Sequence, residues 1–217
     1  MNDFIFFFKQ GLSHISDLGA YDHILFIAAL AAAYHIKNGK NLIFLVTAFT
    51  IGHSIALALA TLKIVKVNSS WIEFLIPVTI IATCFATIIQ RINLKASSSE
   101  ETKVVDSSQK EVFHVEQNPF TYLIIIGFGI IHGLGFSSYL RFILSENESL
   151  FTPLLAFNLG LELGQIFILT IALIINFVLL RYFKIPQKTL PIIISILIII
   201  ISIPILLDTG NALFFEH

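Results

Sequence analysis

The chain has 217 residues, with 13 Lys+Arg against 14 Asp+Glu and a formal net charge of −1. Charged residues make up 12% and apolar residues 56%, where soluble domains carry about 25% and about 45–50%. These values exclude a disordered chain and a nucleic-acid-binding protein with a basic face, and they leave too little charge to clothe a soluble domain.

At the N-terminus, Lys9 follows the apolar run Phe4–Phe8 instead of preceding it, and no small-residue cleavage site stands at a suitable distance. A cleaved signal peptide is therefore not expected. A membrane helix needs about 20 mostly apolar residues. The first stretch that qualifies is 19–36, which opens on Asp22-His23 and follows His14. The second, 41–62, contains Thr47, Thr50, His53 and Ser54, and the third, 71–91, opens with Glu73. Residues 92–118 are polar, carry no apolar helical stripe and read as a flexible loop, with His114 simply solvated. The fourth span, 119–144, holds His132 among Gly127, Gly129, Gly133 and Gly135. The fifth, 151–182, holds Asn158, Glu162 and Gln165 and is long enough to tilt. The sixth, 189–208, is almost wholly Ile and Leu and reads as a lipid-facing or packing helix. The fold expected is all-α: a polytopic membrane protein of six transmembrane helices in two three-helix halves.

Orientation follows the Lys/Arg bias. Lys37, Lys40, Arg91, Lys95, Lys103, Lys110, Arg181, Lys184 and Lys188 fall on one side, and Lys9, Lys63, Lys66 and Arg141 on the other. Both termini are therefore expected outside the cytoplasm.

Ionisable residues inside a span cost about 2.5–3.5 kcal/mol each on insertion scales, so they mark function by default. Asn158, Glu162 and Gln165 share one helical face, as do Thr50 and Ser54. At 1.5 Å per residue, His53, Glu162 and His132 lie roughly 13, 16 and 18 Å below the outer ends of their spans. Asp22, His23 and Glu73 sit near the outer ends. Imidazoles and carboxylates gathered in one half of the membrane supply nitrogen and oxygen ligands for a divalent metal, and Asp22 serves either as a ligand or as the support of His23. One cysteine, Cys84, and one methionine, Met1, exclude a Cys-built zinc site and a thioether copper path. Blander readings stand beside this one. Glu73 is also a helix N-terminal charge, His14 and His35 are also interfacial residues, and Gln165 is also an interhelical hydrogen-bond group. His53, His132 and Glu162 also read as a satisfied polar network. The glycine pairs Gly129/Gly133 and Gly160/Gly164 are small-xxx-small faces, expected to pack the fourth and fifth spans closely and bring His132 toward Glu162.

Several runs resemble the HupE/UreJ family of bacterial membrane proteins: His14-Ile15, Asp22-His23-Ile24-Leu25-Phe26, Val46-Thr47-Ala48-Phe49-Thr50-Ile51-Gly52-His53-Ser54 and Trp71-Ile72-Glu73. Phe128-Gly129-Ile130-Ile131-His132-Gly133-Leu134-Gly135-Phe136 and Phe157-Asn158-Leu159-Gly160-Leu161-Glu162-Leu163-Gly164-Gln165 resemble it too. The likeness covers about residues 11–170 and is closer to the broader branch of the family than to the nickel permeases of hydrogenase and urease operons. It implies residence in a bacterial inner membrane, transport of nickel or cobalt, and metal ligands at His14, Asp22, His23, His53, His132 and Glu162. Thr50, Ser54, Glu73, Asn158 and Gln165 stand as supporting residues.

Three functions compete at this stage. The first is a nickel or cobalt transporter. The second is an intramembrane zinc-dependent hydrolase or acyl-transfer enzyme, with Ser54 or Glu162 moving protons, favoured by the scarcity of polar residues in the inner half. The third is a non-catalytic assembly factor that uses the polar groups for packing. No nucleotide-binding motif is present, so energy would come from a gradient or a partner.

Overall fold

The structure, a computed structural model, describes residues 3–17, 21–34, 39–66, 68–100, 119–143 and 150–215, with backbone only for 94–100. The described residues are helical, in the order α1 (Asp3–Ser16), α2 (Tyr21–Ala33), α3 (Gly39–Thr61), α4 (Ser69–Glu100), α5 (Pro119–Ile143), α6 (Phe151–Arg181) and α7 (Leu190–Phe215). Helices α3 to α7 are each long and apolar enough to cross a membrane, and the pair α1–α2, bent by 68°, supplies a sixth crossing when taken as one broken span. α4 continues as a helix to Glu100, into the segment expected as a loop; residues 101–118, His114 among them, lie outside the described residues. His35 also lies outside them.

The first crossing differs from the expected span 19–36. The polar residues Lys9, Gln10, Ser13 and His14 interrupt the apolar run, so α1 reads as interfacial by hydropathy alone. Its Phe7, Gly11 and Ile15 nevertheless form one buried stripe, packed on α6. Gly11 lies against the Phe157 backbone, and at the far end of α2 the Asn176 amide donates to the Ala31 carbonyl at 3.1 Å. From Phe157 to Asn176 is roughly 28 Å along α6, close to the thickness of a bilayer core. α1 and α2 together therefore traverse the membrane, and Asp22-His23 opens the second half of that crossing at mid-depth instead of sitting at its outer end.

The last carbonyls of a helix have no partner within it. α2 meets this with two side chains. Arg91 of α4 donates to the Ala33 carbonyl at 2.6 Å, and Asn176 of α6 to that of Ala31. A cation at a helix C-terminus also complements the helix dipole.

Helix pairing follows the glycines. A Cβ at Gly129 would strike the Phe49 carbonyl oxygen, one at Gly52 the Ile126 carbonyl oxygen, and one at Gly133 the His53 backbone. The face Gly129/Gly133 of α5 therefore receives α3, which offers its own small face Gly52/Ala56. The face Gly160/Gly164 of α6 receives α1, at Phe8, Leu12 and Ile15. The expectation that these two glycine faces meet each other is corrected: each seats a helix from the first half of the chain. α4 packs on α7, where Trp71 and Phe74 meet Phe214 edge-on at 6.0 and 5.8 Å. The two halves of the sequence are thus interleaved in space.

The two glycine pairings repeat one another. Gly11 meets Phe157 and Leu161 as Gly129 meets Phe49 and His53, and Gly160 meets Phe8 as Gly52 meets Ile126. α1 and α6 run in one direction and α5 and α3 in the other. The sequence matches in register: Ala48-Phe49-Thr50-Ile51-Gly52 answers Ala156-Phe157-Asn158-Leu159-Gly160, and Gly11-Leu12-Ser13-His14 answers Gly129-Ile130-Ile131-His132. His14 and His132 are equivalent residues of an inverted repeat.

Gly129→Val should destabilise the protein by about 3 kcal/mol, because rigid backbone faces the new side chain. Gly127→Ala, with open space around it, should be neutral in the same thermal unfolding assay in detergent. Asn176→Leu should cost about 1–3 kcal/mol by stranding the Ala31 carbonyl; an unchanged melting temperature would refute the capping role.

Candidate metal centre

Four imidazoles converge where α1 breaks into α2. α1 carries His14 two residues before its end, and α2 carries Asp22 and His23 in its first turn. His53 and His132 come from the middles of α3 and α5, held together by the glycine contacts described above. Ring centroids stand 4.8 Å apart for His14–His23, 5.1 Å for His23–His132, 6.1 Å for His23–His53 and 6.2 Å for His14–His53. Ligand atoms of His14, His23 and His53 lie within 4.8 Å of one another, and so do those of Asp22, His23 and His132. His23 is common to both groups. His23, His53 and His132 are buried at 3%, 0% and 1% exposure.

The hydrogen bonds fix which nitrogens remain bare. His23 Nδ1 lies 3.1 Å from the Asp22 carboxylate, so Nδ1–H donates and Nε2 keeps its lone pair. The Thr79 hydroxyl donates to the Ile76 carbonyl at 2.7 Å and presents its oxygen to His132 Nε2 at 3.2 Å. That makes Nε2 the protonated nitrogen of His132 and leaves Nδ1 bare. Among the described residues, His14 Nε2, His23 Nε2, both nitrogens of His53 and His132 Nδ1 are buried without a hydrogen-bond partner. A buried polar atom left unsatisfied costs about 1–3 kcal/mol, and a bound cation would satisfy four of these five, one lone pair on each neutral imidazole, the second His53 nitrogen being an N–H. Their donor set suits a borderline divalent cation.

An aromatic wall surrounds the imidazoles. The Phe136 ring lies 3.8 Å from that of His14, Phe49 stands edge-on at 5.1 Å and Phe26 tilted at 5.6 Å from His132, and Phe157 stacks at 6.3 Å on His53. These rings keep bulk water off the nitrogens and lower the local dielectric, which strengthens any charge–ligand interaction inside.

The other residues singled out by sequence lie apart from this centre. Glu162 accepts a hydrogen bond from the Thr47 hydroxyl at 2.7 Å, and the Gln165 amide oxygen accepts one from Thr50 at 2.6 Å. Both tie α3 to α6. Ser54 donates to the Thr50 carbonyl at 2.7 Å, and Asn158 to that of Leu154 at 2.8 Å. Glu73 is exposed in the second turn of α4. Thr79 is the residue that sequence reasoning passed over. Thr79, Thr83 and Thr87 recur every four residues along one face of α4, a polar stripe in an apolar span that could have drawn notice.

Below the centre, toward the face opposite the termini, a cavity of about 670 Å³ opens between α2, α4 and α5. Leu30, Thr83 and Phe128 line its upper end, and Tyr34, Gln90 and Asn93 its lower end.

No curated protein and no solved structure matches the chain. A family model described as HupE / UreJ protein matches residues 1–208. The histidine motifs brought together here thus lie within a match spanning nearly the whole sequence, and the chain belongs to the HupE/UreJ family.

Proposed function

We propose that the protein carries a divalent transition-metal ion, nickel or cobalt, across a bacterial inner membrane, and that the ion is held in transit by the four-histidine centre. The observation that carries this reading is the set of bare, buried ring nitrogens of His14, His23, His53 and His132 around the break in the first crossing. Imidazole suits nickel and its neighbours in the first transition row. Discontinuous helices at mid-membrane are a recurring way to build a transported ion's site, because a break can shift without dismantling a whole helix. Asp22 and Thr79 act on the ion through His23 and His132, orienting each ring so that a lone pair faces inward. Glu162 ties α3 to α6 in this reading and stands behind the centre as a brace. Ser54 and Glu162 are engaged with Thr50 and Thr47, so the hydrolase reading lacks its proton carriers at the centre. The Lys/Arg bias supports loading from the side of the termini, away from the cytoplasm.

Cells expressing the protein should accumulate nickel or cobalt, and His53→Ala or His132→Ala should abolish the gain. Unchanged cellular nickel and cobalt on both deletion and overexpression would sink the transport reading. In purified protein, Asp22→Asn and Thr79→Val should each weaken nickel affinity about 10- to 100-fold by calorimetry. Glu73→Gln should leave that affinity as it is. Nickel at 100 times its Kd should stabilise the fold by about 2.7 kcal/mol, a shift absent from His23→Ala/His53→Ala.

A further inference from the structure

We propose that the cavity between α2, α4 and α5 is the ion's passage from the histidine centre to the face opposite the termini; this rests on the transport reading above. The cavity begins one helical turn beyond the centre on two of its three walls. Thr83 follows Thr79 by four residues on α4, and Phe128 precedes His132 by four on α5. It ends where those helices approach the other face, at Asn93 of α4, Tyr34 beyond the end of α2 and Thr121 of α5. From Thr83 to Asn93 is roughly 15 Å, half a bilayer core.

The chemistry of the lining grades in the way an exit requires. At the centre the ligands are imidazole nitrogens. Along the cavity they become the hydroxyls of Thr83 and Thr87 and the amides of Gln90 and Asn93, all on α4. Neutral oxygens hold a transition-metal dication more weakly than imidazoles do, so an ion that leaves the histidines for this stripe is held loosely and is free to rehydrate. A space of about 670 Å³ accommodates the ion together with many waters. The other walls are apolar at Leu30, Ala33, Ile124, Ile125 and Phe128, and carry hydroxyls only at the far end, on Tyr34 and Thr121.

Between centre and cavity stands an apolar closure. Phe26 lies 5.6 Å from the His132 ring and 6.2 Å, edge-on, from Phe128, with Leu30 one turn below on α2. In this arrangement an ion on the histidines is sealed from the cavity by two phenyl rings. Passage between the two requires these rings to move aside.

Two measurements on the full-length protein in sealed proteoliposomes test the passage. In a Cys84→Ala background, Thr87→Cys should react with a membrane-impermeant thiol reagent added at the face opposite the termini, and not from the other face. Lipid-facing Leu197→Cys should stay unlabelled throughout. In the second, Thr83→Val/Thr87→Val should slow nickel uptake by about 10-fold or more while calorimetric nickel affinity at the histidines stays that of the parent protein. The passage is overturned if Asn93→Cys labels and Thr87→Cys does not, if the double valine variant transports at the parent rate, or if its affinity falls in step with its uptake. Absence of nickel uptake by the parent protein would instead overturn the transport reading, and with it the role of the cavity. Parent uptake with an unlabelled Thr87→Cys would remove the cavity alone.

Discussion

The contact between a glycine on one helix and a carbonyl on the next, made at Gly129 with Phe49 and again at Gly11 with Phe157, sets most distances in this molecule. In a bilayer the lipid tails are as apolar as the helices, so association depends on close packing and on polar groups that meet across it. The glycines supply the close packing. Each brings two backbones into contact, and each stands one turn from a histidine: Gly129 from His132, Gly11 from His14. A side chain at either glycine would push its helix outward and carry the imidazole with it. The polar bridges Thr47–Glu162 and Thr50–Gln165 then join the two glycine-packed pairs to one another through α3 and α6.

The break between α1 and α2 depends on that frame. On the inner side of the break Ile15 and His23 are buried against neighbouring helices, while Ser16, Asp17 and Tyr21 on its outer side are exposed. The break gives the first crossing two features a continuous helix lacks. It turns His14 back toward His23, at 4.8 Å, and it places Asp22 in the first turn of α2, where a carboxylate is favoured by the helix dipole. Asp22 is therefore held by the backbone on one side while it orients His23 on the other.

Much of this was legible in the sequence. Long apolar runs give α3 to α7 directly, since no other element of that length can satisfy its backbone in lipid. His53 and His132 stand out because an imidazole in such a run is costly, and calculated depths along their helices brought them close together. α1 was hidden by its composition: Lys9, Gln10 and His14 lower its apolar character, and only a partner surface on α6 shows that Phe7, Gly11 and Ile15 form a buried stripe. The partners of the glycine faces were equally illegible, since a small-xxx-small pattern states that something packs closely but carries no address. Glu162 drew attention as a charge at the right depth, but depth fixes only one coordinate, and its azimuth on α6 turns it toward Thr47. Thr79 was overlooked for the converse reason: a hydroxyl costs little in a helix that offers it a carbonyl, so it raises no alarm until a ring nitrogen is seen beside it.

The interleaving of the two halves has a consequence for biogenesis. Each main pairing joins an early helix to a late one, α1 to α6, α3 to α5 and α4 to α7. No half therefore possesses a core of its own, and a chain emerging from the ribosome carries Gly11, Gly52 and their histidines into the bilayer before the surfaces that receive them exist. α3 finds α5 first. α1 waits longer, through the synthesis of well over a hundred residues, until Phe157 and Gly160 arrive. His14 is thus the last imidazole to be seated, and the four-histidine centre is completed only as the fifth crossing enters. A chain truncated before that point would carry all four histidines but lack the α6 surface on which α1, and with it His14, is seated.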